Sequence, residues 1–162
     1  MLAGCLNSNF TFYELNNLTG KYELWKNVSY HKESVLACTT LESGLGFFAG
    51  GKDFNIMLID LEGRLVKELA GHTNSICSLH QSLETELLSG SYDGTARVWD
   101  IESGKVKFTL TGHTNAVTVL SLQNGIIITG SAREIRLWFR GKMEKLIAAH
   151  ADTIKALCEI PN

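Results

Sequence analysis

His72, Ser89, Ser91 and Asp93 bring the three side-chain types of a nucleophilic triad into one short stretch. In hydrolases built that way, a carboxylate orients an imidazole, which takes the proton of a serine hydroxyl. Both serines here lie inside a run that reads as a strand, not on a strained Gly-x-Ser-x-Gly turn, which disfavours an enzyme. Metal chemistry has little to build on. The four cysteines (Cys5, Cys38, Cys77, Cys158) are far apart with no C-x-x-C pair, and four of the five histidines are spread along the chain at steps of about 40 residues, as repeat anchors. That spacing argues against a zinc site, and the cysteine usage fits a reducing cytosol or nucleus. Gly50-Gly51 does not open a helix, so no phosphate-cradling loop is supported, and no cofactor is expected.

Composition narrows the classes further. The 162 residues are 44% hydrophobic and 20% charged, with a net charge of −2, an ordinary soluble balance without a global basic field. Nucleic acid is therefore a poor partner class. No apolar run approaches the length of a membrane helix, and Met1-Leu2-Ala3-Gly4 lacks the basic start of a signal peptide. Arg133, Arg136, Arg140, Lys142 and Lys145 do crowd together, with Glu134 and Glu144 between them. They define an alternative, a basic patch for an acidic or phosphorylated partner, against the plainer reading of a solvated outer strand.

The elements that position these residues follow from a repeat. Gly71-His72-Thr73-Asn74 returns as Gly112-His113-Thr114-Asn115, Trp99-Asp100 is followed by Trp138-Phe139, and Ser89-Gly90-Ser91 by Thr129-Gly130-Ser131. Weaker copies flank them: Tyr30-His31 and Ala149-His150 in one series, Ile59-Asp60 and Tyr13-Glu14 in the other. Two graded series at one period of about 40 residues mark a repeat architecture. Within a unit, residues 75–80, 86–91, 96–100 and 106–110 read as four short strands, with an Asp-Gly hairpin at Tyr92-Asp93-Gly94-Thr95. The fold class is all-β.

Four strands per repeat, opened by Gly-His and closed by Trp-Asp, resemble the WD-repeat β-propeller. The resemblance implies that His72, a serine of the second strand (Ser89 or Ser91), Asp93 and Trp99 form a structural hydrogen-bond network. His113 keeps Trp138 without the aspartate, and His31 keeps Asp53 without the tryptophan, so both of those networks are expected to be incomplete. Residues 31–70, 71–111 and 112–148 read as full blades of four antiparallel strands, 1–30 as an incomplete first blade, and 149–162 as the first strand of a following one. That is about four blades' worth, a partial propeller or half of an assembly, whose open ends invite self-association. Cys38 and Cys77 fall on first strands, where buried thiols are expected. One face of such a propeller would carry Lys52, Phe54, Asn74, Tyr92, Asn115 and Arg133. Phe54 and Tyr92 are aromatics in turns that need none, as a protein interface would use them.

The order of Ala49 to Ile56, Gly71 to Leu79, Leu87 to Trp99 and Thr109 to Val117 is similar to the N-terminal propeller of the phospholipase A2-activating protein family. That resemblance implies a ubiquitin-binding adaptor in protein degradation, cytoplasmic and nuclear. It also implies docking on an AAA unfoldase only through domains absent from this chain. The turn at Ala132-Arg133-Glu134 departs from the family's Asp-bearing pattern.

Overall fold

The computed structural model describes residues 2–6, 8–83, 85–122, 124–148 and 154–158. Every regular element among them is a strand, and the strands form four antiparallel meanders in chain order. The first has three strands, β1 (Leu2–Leu6), β2 (Asn9–Asn16) and β3 (Lys21–Ser29). Three four-stranded sheets follow. The second blade is β4 (Val35–Thr40), β5 (Gly46–Gly51), β6 (Ile56–Asp60) and β7 (Leu65–Leu69). The third is β8 (Ile76–Leu83), β9 (Glu86–Ser91), β10 (Ala96–Asp100) and β11 (Val106–Leu110). The fourth is β12 (Thr118–Ser121), β13 (Ile126–Ser131), β14 (Glu134–Phe139) and β15 (Lys142–Ala148).

Local chemistry sets the corners. Between β9 and β10 the Asp93 carboxylate accepts the Thr95 N–H at 2.9 Å, and Gly94 takes the left-handed conformation at φ 80°. Between β10 and β11 Asp100 accepts both the N–H and the hydroxyl of Ser103 at 2.7 and 2.6 Å. Short polar side chains closing on their own backbone in this way stabilise tight turns. The register between the last two strands of each blade slips by one residue, at Phe12/Tyr13, Leu58/Ile59, Val98/Trp99 and Leu137/Trp138. Such a bulge adds local twist to the outer strand.

The core lies between blades, where facing strands of adjacent sheets bury their side chains against each other. Phe10 and Phe12 meet Phe47, Met57 and Ile59 at the first junction. Phe48, Ile56 and Leu58 meet Ile76, Leu87 and Trp99 at the second. Leu88, Ala96 and Val98 meet Val117, Ile127 and Trp138 at the third. A rear face thus always packs on the front face of the next blade. Contact is closest at Gly90, where a Cβ would lie 2.0 Å from the Val117 carbonyl oxygen.

Two expectations change. The first strand expected over 153–160 is described only over 154–158, and those residues form no strand. A ladder needs a hydrogen-bonded neighbour, and no described strand pairs with this segment. Ile154 still takes a first-strand position: its N–H donates to the Ala132 carbonyl at 2.8 Å, as Val117 donates to Ser91 at 3.1 Å. Its side chain packs on Gly130 as Ile76 packs on Gly50. The Ala149-His150 anchor lies outside the described residues. Cys38, expected to be buried, is exposed, because β4 alternates half-buried and exposed positions along its length.

Candidate binding face and the networks beneath it

The third blade holds a continuous chain of hydrogen bonds. Trp99 Nε1 donates to Ser89 Oγ at 2.7 Å, and that oxygen lies 2.7 Å from His72 Nε2. His72 Nδ1 lies 2.7 Å from Asp93 Oδ2, which also accepts the Thr73 N–H at 3.1 Å. Since Ser89 must accept from the indole, its own proton goes to Nε2, and Nδ1 carries the hydrogen that Asp93 accepts. Ser91 is not in the chain. Its hydroxyl donates to the Asn74 carbonyl at 3.0 Å and accepts the Asp93 N–H at 3.0 Å.

The distances match those of a catalytic triad, but Ser89 has 0% exposure and its oxygen is already engaged by Trp99. The arrangement ties two turns to a strand and offers no reactive hydroxyl to a substrate. The electrostatics agree. Burial pulls His72 below its ordinary 6.5 and Arg97 adds to this, against an opposing pull from Asp93. Burial raises Asp93, yet hydrogen bonds from Thr95, His72 and the Thr73 backbone outweigh it and hold the carboxyl at about 2. The pair is therefore a neutral imidazole on a carboxylate at neutral pH.

The fourth blade corrects an expectation. His113 was expected to lack an acid, but Glu134 supplies one, with Oε1 3.0 Å from Nδ1. The turn between β13 and β14 is one residue short, so the acid falls at the start of β14, where the longer glutamate side chain reaches the ring. Thr129 replaces the serine, its Oγ1 2.7 Å from His113 Nε2 and accepting Trp138 Nε1 at 2.8 Å. Burial and the Arg136 charge lower His113 as well, against Glu134. In the second blade the network is partial. His31 Nδ1 meets Asp53 at 2.8 Å, but Ala49 and Ile59 stand where the hydroxyl and indole would be, and His31 Nε2 is buried without a partner. Ala49→Ser would place a donor at that nitrogen. The expected gain is about 1 kcal/mol, read as a higher urea midpoint with unchanged slope.

The basic patch also changes. Arg136 is spent within the blade, pairing with Glu134 at 2.8 Å and donating to the Thr111 and Gly112 carbonyls at 3.2 and 3.0 Å. Arg133 lies in the β13–β14 turn, whereas Arg140 and Lys142 flank the β14–β15 turn at the other end of β14. Lys145 lies within β15, so the five basic residues are spread over two turns, β14 and β15.

Lys52, Phe54, Asn74, Tyr92, Asn115 and Arg133 are all exposed, and all lie at the end of the blades that carries the second-to-third-strand turns. Tyr92 and Asn115, from adjacent blades, line one groove of about 580 Å³ with Cys77, Thr118, Ile154 and Lys155. The other four do not line it. Burial pushes the Cys77 thiol up to about 11, so it stays protonated there. Phe54 and Tyr92 are not equivalent in register. Tyr92 corresponds to Lys52, and Phe54 takes the place of Gly94, at φ 70° and 39% exposed. A bulky residue in that conformation is uncommon and strained, and sequence reading had no signal for it beyond the missing glycine. Among the described residues no group of three or more His, Cys, Asp or Glu could hold a metal ion.

A family model described as WD domain, G-beta repeat matches residues 63–100 and 104–138. Those two stretches match the WD repeat and run from β7 through β10 and from β11 into β14. The phospholipase A-2-activating protein of Xenopus laevis is 40% identical over 74 residues, 45% of this chain and 9% of that relative, so the shared stretch is a small part of its length. A solved structure of U3-55K has a TM-score of 0.72 at 21% identity, covering 76% of this chain and 42% of that one, a likeness of fold. The chain is thus a partial all-β propeller with two stretches that match the WD repeat. Its networks hold together the turns that present the exposed face.

Proposed function

We propose that the exposed turn face binds ubiquitin, making this chain an adaptor module for ubiquitin-dependent degradation in the cytoplasm and nucleus. The observation that carries the reading is Phe54. The adjacent blade fills the same turn position with Gly94, so the fold needs no aromatic there, yet one is held in strain and half exposed. Strain kept at an exposed aromatic is characteristic of binding surfaces. Ubiquitin is the partner that the resemblance to the phospholipase A2-activating protein family implies, and the 40% identity over 74 residues to one such protein supports that resemblance.

Titration of isotope-labelled ubiquitin with the chain should give saturable chemical-shift changes, and Tyr92→Ala should weaken binding about tenfold or more. Phe54→Gly separates binding from packing. It should raise stability by about 1 kcal/mol through release of the left-handed strain, while weakening the complex. Absence of shift changes at millimolar chain would overturn ubiquitin as the partner. A Phe54→Gly variant that loses stability and keeps affinity would overturn the role of Phe54.

A further inference from the structure

The two ends of the blade row are complementary and incomplete. The front face of the first sheet exposes Tyr13 (38%), Leu15 (40%), Tyr22 (49%) and Leu24 (63%). Tyr13 pairs with Leu24 and Leu15 with Tyr22, so the four share one face. Tyr13 follows the register slip as Trp99 and Trp138 do, and those two are buried by the preceding blade. At the other end, Ile128 and Leu137 are half-buried on the rear face of the fourth blade. Their counterparts Phe48 and Leu58, and Leu88 and Val98, are buried by the following blade.

Strand count gives a second, independent fit. The first sheet lacks an innermost strand, because β1 pairs only with β2 among the described residues. Residues 154–158 form no strand, but Ile154 takes an innermost-strand position at the opposite end, anchored on Ala132 and Gly130. We infer that a second copy of this chain completes both ends. Residues 154–158 of each copy add to β1 of the other, and the rear face of each fourth blade packs on the other's Tyr13–Leu24 face. Each internal junction already joins a rear face to a front face, so this pairing continues an existing interface. Two copies would close eight blades into a ring with twofold symmetry, within the roughly four to eight that propellers use.

Sedimentation equilibrium of the 162-residue chain at tens of micromolar should give twice 17.9 kDa. Leu24→Asp alters only an exposed position, and Lys155→Pro with Ala156→Pro removes two N–H donors from the added segment. Each variant alone should be monomeric with unchanged β-sheet circular dichroism, and an equimolar mixture should regain the doubled mass through its one intact junction. A folded wild-type monomer would overturn the inference and leave the faces to further blades or another protein. A ladder of larger species would overturn closure. A double-proline variant that still dimerises would overturn the head-to-tail mode.

Discussion

Gly90→Ala should cost about 3 kcal/mol or more, because the new methyl group meets backbone and not a yielding side chain. The Cβ would sit 2.0 Å from the Val117 oxygen and 2.9 Å from its carbonyl carbon. Relief requires the whole first strand of the fourth blade to move away from β9. That would open the junction where Leu88 and Val98 pack on Val117 and Val119. Gly125→Ala is the control: its Cβ would meet only Phe139, at 3.9 Å, and its cost is that of a left-handed alanine alone. Thermal melts of the two variants measure the difference, and equal shifts would mean that the third junction is not close-packed at Gly90.

Asp93→Ala should be nearly as damaging, at about 2–3 kcal/mol. It leaves the buried His72 Nδ1–H and the Thr73 and Thr95 N–H groups without their acceptor, and releases the Thr95 hydroxyl bound at 2.7 Å. Asp53→Ala should cost less. It has no hydroxyl partner, and the imidazole it orients is joined to nothing at Nε2. The pair also fixes the response to acid. The folded His72 titrates below its ordinary 6.5, so the unfolded chain takes up the proton first and stability falls as pH drops from about 6.5. Asp93 adds a second loss as pH falls from 3.8 to about 2, since the folded carboxyl stays ionised longer. Stability measured against pH should decline on the acid side in both windows, and Asp93→Asn should flatten the lower one.

Much of the fold was legible because turn chemistry and strand composition agree. Residues 86–91, 96–100 and 106–110 read as strands in sequence and form β9, β10 and β11 with the same bounds. The choice between Ser89 and Ser91 was not legible, since alternation puts both on one side of β9. Only their distance from the Trp99 indole separates them. Glu134 was missed for a related reason. A motif read position by position expects an aspartate in the turn, whereas one fewer backbone residue and one more methylene reach the same nitrogen. The left-handed backbone of Phe54 was hidden because its residue type argues against it.

The register slip has a consequence for how many blades such a chain can hide. It occurs in all four sheets, including the first, where Tyr13 replaces the tryptophan. Blade shape therefore does not depend on the His–Asp–Trp signature, which clamps a form the backbone already adopts. A blade stripped of its signature keeps its place in the row with less holding it shut. Counting signatures then measures how tightly a propeller is fastened and understates how large it is: the matched stretches at 63–100 and 104–138 are fewer than the sheets that stand side by side.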